Sequence, residues 1–395
     1  MGNNNKTYYK RSLNIDDLIF DRSCFLFAPR QAGKSSFLKH QLSEKPVLFV
    51  DLLDRAEFLE FQRNPTLLRE RLAASNNESG LVIIDEIQKI PELLDEIHWL
   101  IENKNTRFIM SGSSARKLKR AGSNLLGGRA RMRHLHGFSC SELPNFDLKH
   151  AIHNGTLPPH YLSRLPDEDL ASYVGQYLTE EIAAEGLVRN LPSFARFLEV
   201  AASCNGQILN YSSIASDTGI NRQTVSNYFQ ILKDTMLGFE LQPFRASVKR
   251  KSAGSSKFYL SDMGVVRFLR RLEKIVPASS DFGSFFEHFI FLELRAFLDY
   301  FEPQTEIGLW RTEKGEVEVD FIVGKRWGIE VKASERITNR HLDGLKKLGS
   351  EQVVKKLIVV SCEPHCRHLE EENIRIYPWQ DFMHELWEKK GWLWN

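Results

Sequence analysis

Ala28-Pro29-Arg30-Gln31-Ala32-Gly33-Lys34-Ser35-Ser36 follows a short apolar run at residues 24–27 and opens an amphipathic stretch. Four residues separate Ala28 from Gly33-Lys34-Ser35, the spacing of a phosphate-binding P-loop between a strand and a helix. The spacing has a physical reason. Successive backbone N–H groups curl round a β-phosphate, and the helix N-terminus adds the positive end of its dipole. Gly33 lets the backbone approach, Lys34 reaches the β- and γ-phosphates, and the Ser35 hydroxyl is placed to ligate Mg²⁺. Ala28 stands where the pattern has glycine, which an alanine tolerates at negative φ. The loop from Ala28 to Ser36 is therefore the expected binding segment for ATP with Mg²⁺.

A second stretch completes the site. Leu81-Val82-Ile83-Ile84-Asp85-Glu86 is an apolar run ending in two carboxylates, as a buried central strand presents them at its C-terminal edge. Asp85 is expected to hold Mg²⁺ through water, and Glu86 to orient or deprotonate the attacking water. Further candidate strands lie at 24–27, 47–51, 107–111 and 133–136, with helices beginning near Lys34, Pro65 and Pro91. Short apolar runs alternating with amphipathic stretches predict a parallel sheet covered by helices.

Beyond Glu142 the pattern turns helical. Ile208–Leu232 carries two short helical patterns separated by a turn at Gly219, with Asn221 placed to cap the second. That second helix is expected to bury Val225, Phe229 and Leu232 and to present Arg222, Gln223, Ser226 and Asn227, side chains able to read base edges. The same unit serves equally well as a packing module between domains.

The last third contains Glu316-Val317-Glu318-Val319-Asp320, a turn at residues 324–327, and Gly328-Ile329-Glu330-Val331-Lys332. Alternation puts Glu316, Glu318 and Asp320 on one face of the first strand, and Glu330 and Lys332 together on the second. Paired strands would gather Asp320, Glu330 and Lys332 round one pocket. Two carboxylates there can hold Mg²⁺ and the lysine can steady the attacked phosphate or the water. Two amphipathic strands with solvated charges give the same pattern. Cys362, His365, Cys366 and His368 follow no usual zinc spacing, so a loop is expected there. Trp379, Trp387, Trp392 and Trp394 in the tail suit packing or a contact between copies.

Asp85-Glu-Ile-Gln-Lys-Ile-Pro91, Ser111-Gly-Ser-Ser-Ala-Arg116 and Leu126-Gly-Gly-Arg129-Ala, in that order, resemble the AAA-like P-loop ATPases of archaea and bacteria whose C-terminal domain is of uncertain function. The resemblance spans nearly the whole chain. It implies Ser113 as a sensor near the γ-phosphate and Arg129 as the arginine contacting nucleotide, across a subunit boundary if the chain forms a homo-oligomer; Arg116 is the fallback. It implies a winged-helix-like middle. Asp320, Glu330 and Lys332 resemble the PD-(D/E)xK, restriction-endonuclease-like superfamily, which often adds a glutamate from the preceding helix, here Glu287 as a third metal ligand. Val319 replaces the proline of that motif.

The expected architecture is an α/β multidomain chain: an AAA-like ATPase domain over 1–142, a helical winged helix-turn-helix domain over 143–256, and an α/β nuclease-like domain over 257–395. With 395 residues, 42% hydrophobic and 26% charged, it has material for more than one buried core and is not a disordered chain. No apolar run approaches the roughly 18 residues of a membrane span. The first residues lack a secretory signal, Lys6 spoils a myristoylation motif, and five scattered cysteines make no disulfide framework, so a cytoplasmic protein without membrane partner is expected. Net charge is only +2, but residues 111–137 lack acids and carry Arg116, Lys117, Lys119, Arg120, Arg129, Arg131 and Arg133. A second basic stretch, residues 245–257, sits where a wing would be. Either can neutralise phosphates or be plain solvated surface.

These sites point to an ATPase that couples Mg·ATP hydrolysis to an action on DNA through a metal-dependent nuclease-like domain. The alternative is a nucleotide-gated switch or scaffold whose nuclease-like domain is silent and binds DNA or a protein partner.

Overall fold

The computed structural model describes residues 8–43, 45–75, 80–114, 116, 118, 125–176, 190–244, 256–277, 279–312 and 317–395. Lys117, Lys119, Arg120, Glu316 and the basic run 245–255 lie outside the described residues. The chain divides into two compact units. Residues 1–138 with 234–237 form the first, and residues 139–233 with 238–395 the second.

In the first unit, apolar runs too short for helices become strands: β1 (Ser23–Phe27), β2 (Leu48–Asp51), β3 (Leu81–Asp85), β4 (Arg107–Gly112) and β5 (Ala130–His134). They pair in the order β2-β3-β4-β1-β5, with every neighbour parallel. Every residue of β1 and β3 is buried, as expected for a sheet covered on both faces. Helices α1 (Lys34–Gln41), α2 (Arg55–Arg63), α3 (Leu67–Ala74) and α4 (Leu93–Lys104) supply the crossovers. Asp54 starts α2 by accepting from the Ala56 and Glu57 amides. Phe61, Leu68, Leu93, Ile97 and Leu100 pack with Phe25, Val82, Ile84 and Phe108 in one core. Each such side chain contributes about 1.5–3 kcal/mol by leaving water. β4 lies between β1 and β3, so the ends of β1, β3 and β4 converge at one edge.

β5 covers residues 130–134 rather than the expected 133–136. It is an edge strand whose residues are half-buried or exposed, so apolar periodicity marked it poorly.

The second unit begins at Ser139 with a short turn over Cys140–Glu142 and helices over Leu148–Asn154 and Pro166–Gln176. Then come α5 (Leu191–Ser203), α6 (Tyr211–Thr218) and α7 (Arg222–Asp234). Asparagine opens each of the three: Asn190 accepts from Ser193, Asn210 from Ser212 and Asn221 from Thr224. Gly219 ends α6 at φ +67°, a left-handed turn that favours glycine. Val225, Phe229 and Leu232 are buried, while Arg222, Gln223 and Asn227 are exposed and Ser226 half-buried. A two-stranded antiparallel ribbon follows, β6 (Gly238–Leu241) with β7 (Lys257–Leu260). Ile208 bridges to Lys257 on the other side of β7.

The 22-residue helix α8 (Ser280–Phe301) leads into a six-stranded mixed sheet. Its strands are β8 (Ile307–Arg311), β9 (Glu318–Val323), β10 (Trp327–Lys332), β11 (Lys356–Ser361), β12 (Arg367–Leu369) and β13 (Ile374–Pro378). The order is β12-β13-β11-β10-β9-β8. β9 and β10 form a hairpin, and α9 (Asp343–Ser350) carries the crossover to β11, which runs parallel to β10. The tail helix α10 (Trp379–Glu388) closes the unit. Its tryptophans pack inward: Trp387 against Phe297, Tyr300 and Phe301, Trp394 against Phe297 and Trp327, Trp379 against Phe289. Among the described residues no helix is long and apolar enough to cross a membrane.

Candidate functional sites

The phosphate loop leaves β1 at Ala28 and enters α1 at Lys34. Its curl is set by two left-handed residues, Gln31 at φ +64° and Gly33 at φ +87°. Ala28 is tied to β4 by its amide, which donates to the Gly112 carbonyl at 3.3 Å, and Phe37 closes the first helical turn on Gly33. Ala28, Pro29 and Ala32 are buried, Arg30 and Gln31 exposed, and Ser36 lies exposed in the first turn of α1. The loop thus presents backbone amides rather than bulk, as binding of a polyphosphate requires.

Asp85, at the end of β3, is fully buried. The Ser35 hydroxyl donates to its Oδ2 at 2.6 Å, and the Ser111 hydroxyl donates to its Oδ1. Ser35 and Asp85 are thereby side by side, the donor set a Mg²⁺ bound with nucleotide needs, and they fit that ion. The next residue, Glu86, is held at φ +61°, a conformation that costs a non-glycine residue about 1 kcal/mol. Its Oε1 is 3.8 Å from the buried Lys34 ammonium, and its Oε2 accepts from the Gln88 amide. The same Gln88 nitrogen donates to Ser113 Oγ at 3.3 Å. Gln88 therefore links the expected water-activating carboxylate to the expected sensor. A Cβ at position 112 would overlap the Gln88 amide oxygen, so Gly112 makes room for this link.

Arg129 stands elsewhere. β5 pairs Ala130 with Ser23 and His134 with Phe27, so residue 129 lies beside the start of β1, whereas the phosphate loop leaves its end. The strand between them is about 15 Å long, too far for one side chain to bridge. Arg129 is instead paired with Glu102. Arg116 follows β4 on the nucleotide side and is paired with Asp234 at 3.1 Å. Arg131 pairs with Asp21 at 2.7 Å. Three arginines of the basic stretch are thus already neutralised by carboxylates.

In the second unit the β9–β10 hairpin brings Asp320, Glu330 and Lys332 together, as alternation predicts, and α8 adds Glu287 beside them. Lys332 Nζ lies 2.5 Å from Glu330 and 4.0 Å from Asp320. Asp320 Oδ2 accepts from the Val331 amide at 2.9 Å. Burial, with Asp320 as neighbour, pushes the Glu330 carboxyl up to about 8 and also raises Glu287. The buried Glu330 Oε2 has no hydrogen-bond partner among the described residues.

Lys257 from β7 changes this cluster. Expected on a basic surface stretch, it is buried, with its ammonium 3.0 Å from Glu287, 3.4 Å from Glu318 and 3.5 Å from Asp320. Tyr259 donates to the same Glu287 oxygen at 2.5 Å. Burial opposes the charge on Lys257, but the three carboxylates outweigh it and raise its pKa. Among the described residues no group of three or more His, Cys, Asp or Glu side chains is arranged to hold a metal ion. The expected Mg²⁺ set of Glu287, Asp320 and Glu330 does not fit that ion as disposed, because a lysine stands among the carboxylates. Cys362, His365, Cys366 and His368 form no metal group either; Glu363 pairs there with Arg367.

Residues 21–144 match the family described as AAA domain. This segment is an AAA-like P-loop ATPase domain. Residues 145–275 and 282–382 match two families, each described as a domain of unknown function. Uncharacterised proteins of Mycobacterium tuberculosis and Mycobacterium bovis are each 25% identical over 317 residues, covering 78% of this chain and 69% of theirs. The solved Walker-type ATPase of Pyrococcus abyssi aligns with 65% of this chain and 93% of its own at 17% identity and a TM-score of 0.44, too loosely for residue-by-residue comparison.

Sequence reasoning missed three residues. Within the AAA-like domain, Ser111 and Gln88 lay inside the quoted motifs, but only their hydrogen bonds to Asp85 and Glu86 disclose what they do. Lys257 was read as part of a basic run. Its isolation in the apolar strand Phe258-Tyr259-Leu260 was the available signal.

Proposed function

We propose that this chain hydrolyses Mg·ATP and directs the resulting cycle at DNA through its second unit. The observation carrying the first half is the Ser35–Asp85 hydrogen bond beside Glu86 at the mouth of the phosphate loop. Lys34 and the amides from Ala28 to Ser36 bind the phosphates, with Ser113 at the γ-phosphate end. When bound, Mg²⁺ held by Ser35 and Asp85 supplies positive charge that offsets the charge of the phosphates. Glu86 orients the attacking water and accepts its proton, while Gln88 fixes the Glu86 carboxylate. Lys34 leaves Glu86 for the phosphates, freeing the carboxylate for that water. Arg129, too far for its own nucleotide, serves a neighbouring subunit in a homo-oligomer.

The division into an ATPase domain (1–142), a winged-helix-like domain (143–256) and a PD-(D/E)xK-like domain (257–395) belongs to this reading, as does a cytoplasmic location. The asparagine-capped helices with the β6–β7 ribbon support the winged helix, and the Asp320–Glu330–Lys332 hairpin with Glu287 supports the nuclease-like fold. Exposed Arg222, Gln223 and Asn227 on α7 suit contact with DNA. Metal-dependent cleavage by Asp320, Glu330 and Lys332 is one output, and it requires Lys257 to give up its place among the carboxylates. The position of Lys257 favours the other, a nucleotide-gated switch that holds DNA or a protein partner without cutting.

DNA cleavage and ATP turnover by the purified chain, beside Asp320→Ala/Lys332→Ala, separate these outputs. Cleavage lost in the double variant supports the nuclease. ATP turnover and DNA retention without cleavage support the switch, and absence of turnover overturns both.

A further inference from the structure

Four carboxylates, Glu287, Glu318, Asp320 and Glu330, converge where β7, α8, β9 and β10 meet. Such a cluster needs positive charge. A divalent ion would provide it by taking oxygen ligands at about 2.1 Å, together with several waters. Lys257 Nζ instead lies 3.0, 3.4 and 3.5 Å from Glu287, Glu318 and Asp320, hydrogen-bond and ion-pair distances. Its side chain is 5% exposed, so it cannot be a surface lysine that drifted inward.

The backbone that carries this ammonium is held on both sides. Lys257 pairs with Leu241 in the β6–β7 ribbon and bridges to Ile208 on its other side. Glu287 Oε1 is committed twice, to Lys257 and to the Tyr259 hydroxyl at 2.5 Å. Asp320 Oδ2 is committed to the Val331 amide. The remaining Asp320 oxygen faces Lys257. Lys332 balances Glu330 at 2.5 Å.

We propose that the Lys257 ammonium is the resident cation of this cluster: it takes the place of the divalent metal, and the nuclease-like site binds no Mg²⁺ while Lys257 is in position. The inference rests on the PD-(D/E)xK-like reading of the second unit and assigns that unit a fixed, metal-free acidic site. Nothing in it depends on the nucleotide site.

Mn²⁺ binding to the full, nucleotide-free chain, followed by electron paramagnetic resonance at pH 7.5, tests it. The wild-type chain and Asp320→Asn are expected to give the same isotherm. Lys257→Gln, which keeps a polar end but no charge, is expected to gain one Mn²⁺ per chain, and adding Asp320→Asn should remove that gain. Mn²⁺ bound by the wild type and lost in Asp320→Asn would overturn the proposal. A folded Lys257→Gln that gains no Mn²⁺ also overturns it, since something other than Lys257 then keeps metal out. Fe²⁺-driven oxidative cleavage of the wild-type backbone keeps the test decisive should Lys257→Gln fail to fold. No cut across residues 318–332 is expected, and a cut there contradicts the proposal. ATP turnover of the same preparations reports the first unit separately, so its loss would count against the ATPase reading alone.

Discussion

The Ser35 hydroxyl donates to Asp85 Oδ2 across 2.6 Å, joining the first turn of α1 to the end of β3. Two segments fifty residues apart in sequence are thereby set at one edge of the sheet. Ser111, from the intervening β4, satisfies the other Asp85 oxygen. A buried carboxylate with both oxygens engaged by hydroxyls is held in one orientation before any ligand arrives, and that preorganisation suits a magnesium-nucleotide site.

Removing one hydroxyl at a time separates the two roles. Ser35→Ala is expected to raise the Mg²⁺ concentration for half-maximal ATP turnover at least tenfold. Ser111→Ala should disturb turnover less and lower thermal stability, because it leaves a buried carboxylate oxygen without its donor, a loss of about 1–3 kcal/mol. Magnesium titrations of turnover and thermal melts check both.

In the proposed mechanism Gln88 is a positioning residue acting through Glu86, to which its amide donates. Gln88→Ala is expected to lower kcat about tenfold, corresponding to about 1.4 kcal/mol, with KM for ATP nearly unchanged. Gly112→Ala should reproduce that fall by displacing the Gln88 amide. A change confined to KM would place Gln88 in nucleotide binding instead.

Arg129 makes its contribution across a subunit boundary in this account. Arg129→Ala should lower turnover by about 10³-fold, in the range of arginines that stabilise phosphoryl transfer. Mixing it with Lys34→Ala should restore part of the activity, since a mixed assembly pairs an intact phosphate loop with an intact arginine. Turnover by Arg129→Ala equal to wild type would reduce Arg129 to its pair with Glu102.

Much of this was legible from residues alone. β3 coincides with the expected run, because an uninterrupted apolar stretch closed by polar residues marks a buried parallel strand. α2 escaped notice although Asp54 marks its start, since Phe61 is the one residue it fully buries and no apolar run announces it. The meeting of Asp320 with Glu330 followed from strand alternation. The arrival of Lys257 beside them did not, because it depends on how β7 packs against α8 and β9, a long-range arrangement that local pattern does not encode.

Glu293 gives a pH signature in the second unit. It is buried and pushed up to about 7 by that burial, and it accepts from the Cys140 amide at 2.8 Å and from Trp387 Nε1 at 2.7 Å. A carboxyl raised above its ordinary 4.5 favours the folded state fully below that value, and the advantage is lost as pH rises through about 7. Tm of the wild type should therefore fall between pH 5 and pH 8 by more than that of Glu293→Gln. Parallel pH profiles would contradict the assignment.

The central claim is that Lys34, Ser35, Asp85 and Glu86 form a working ATP-hydrolysing site. Steady-state phosphate release with Mg·ATP, beside nucleotide binding, tests it most directly in the wild type, Lys34→Ala and Glu86→Gln. The account predicts turnover in the wild type, loss of binding in Lys34→Ala, and retained binding with turnover lowered about 10²- to 10⁴-fold in Glu86→Gln. Wild-type turnover left untouched by both substitutions would contradict it.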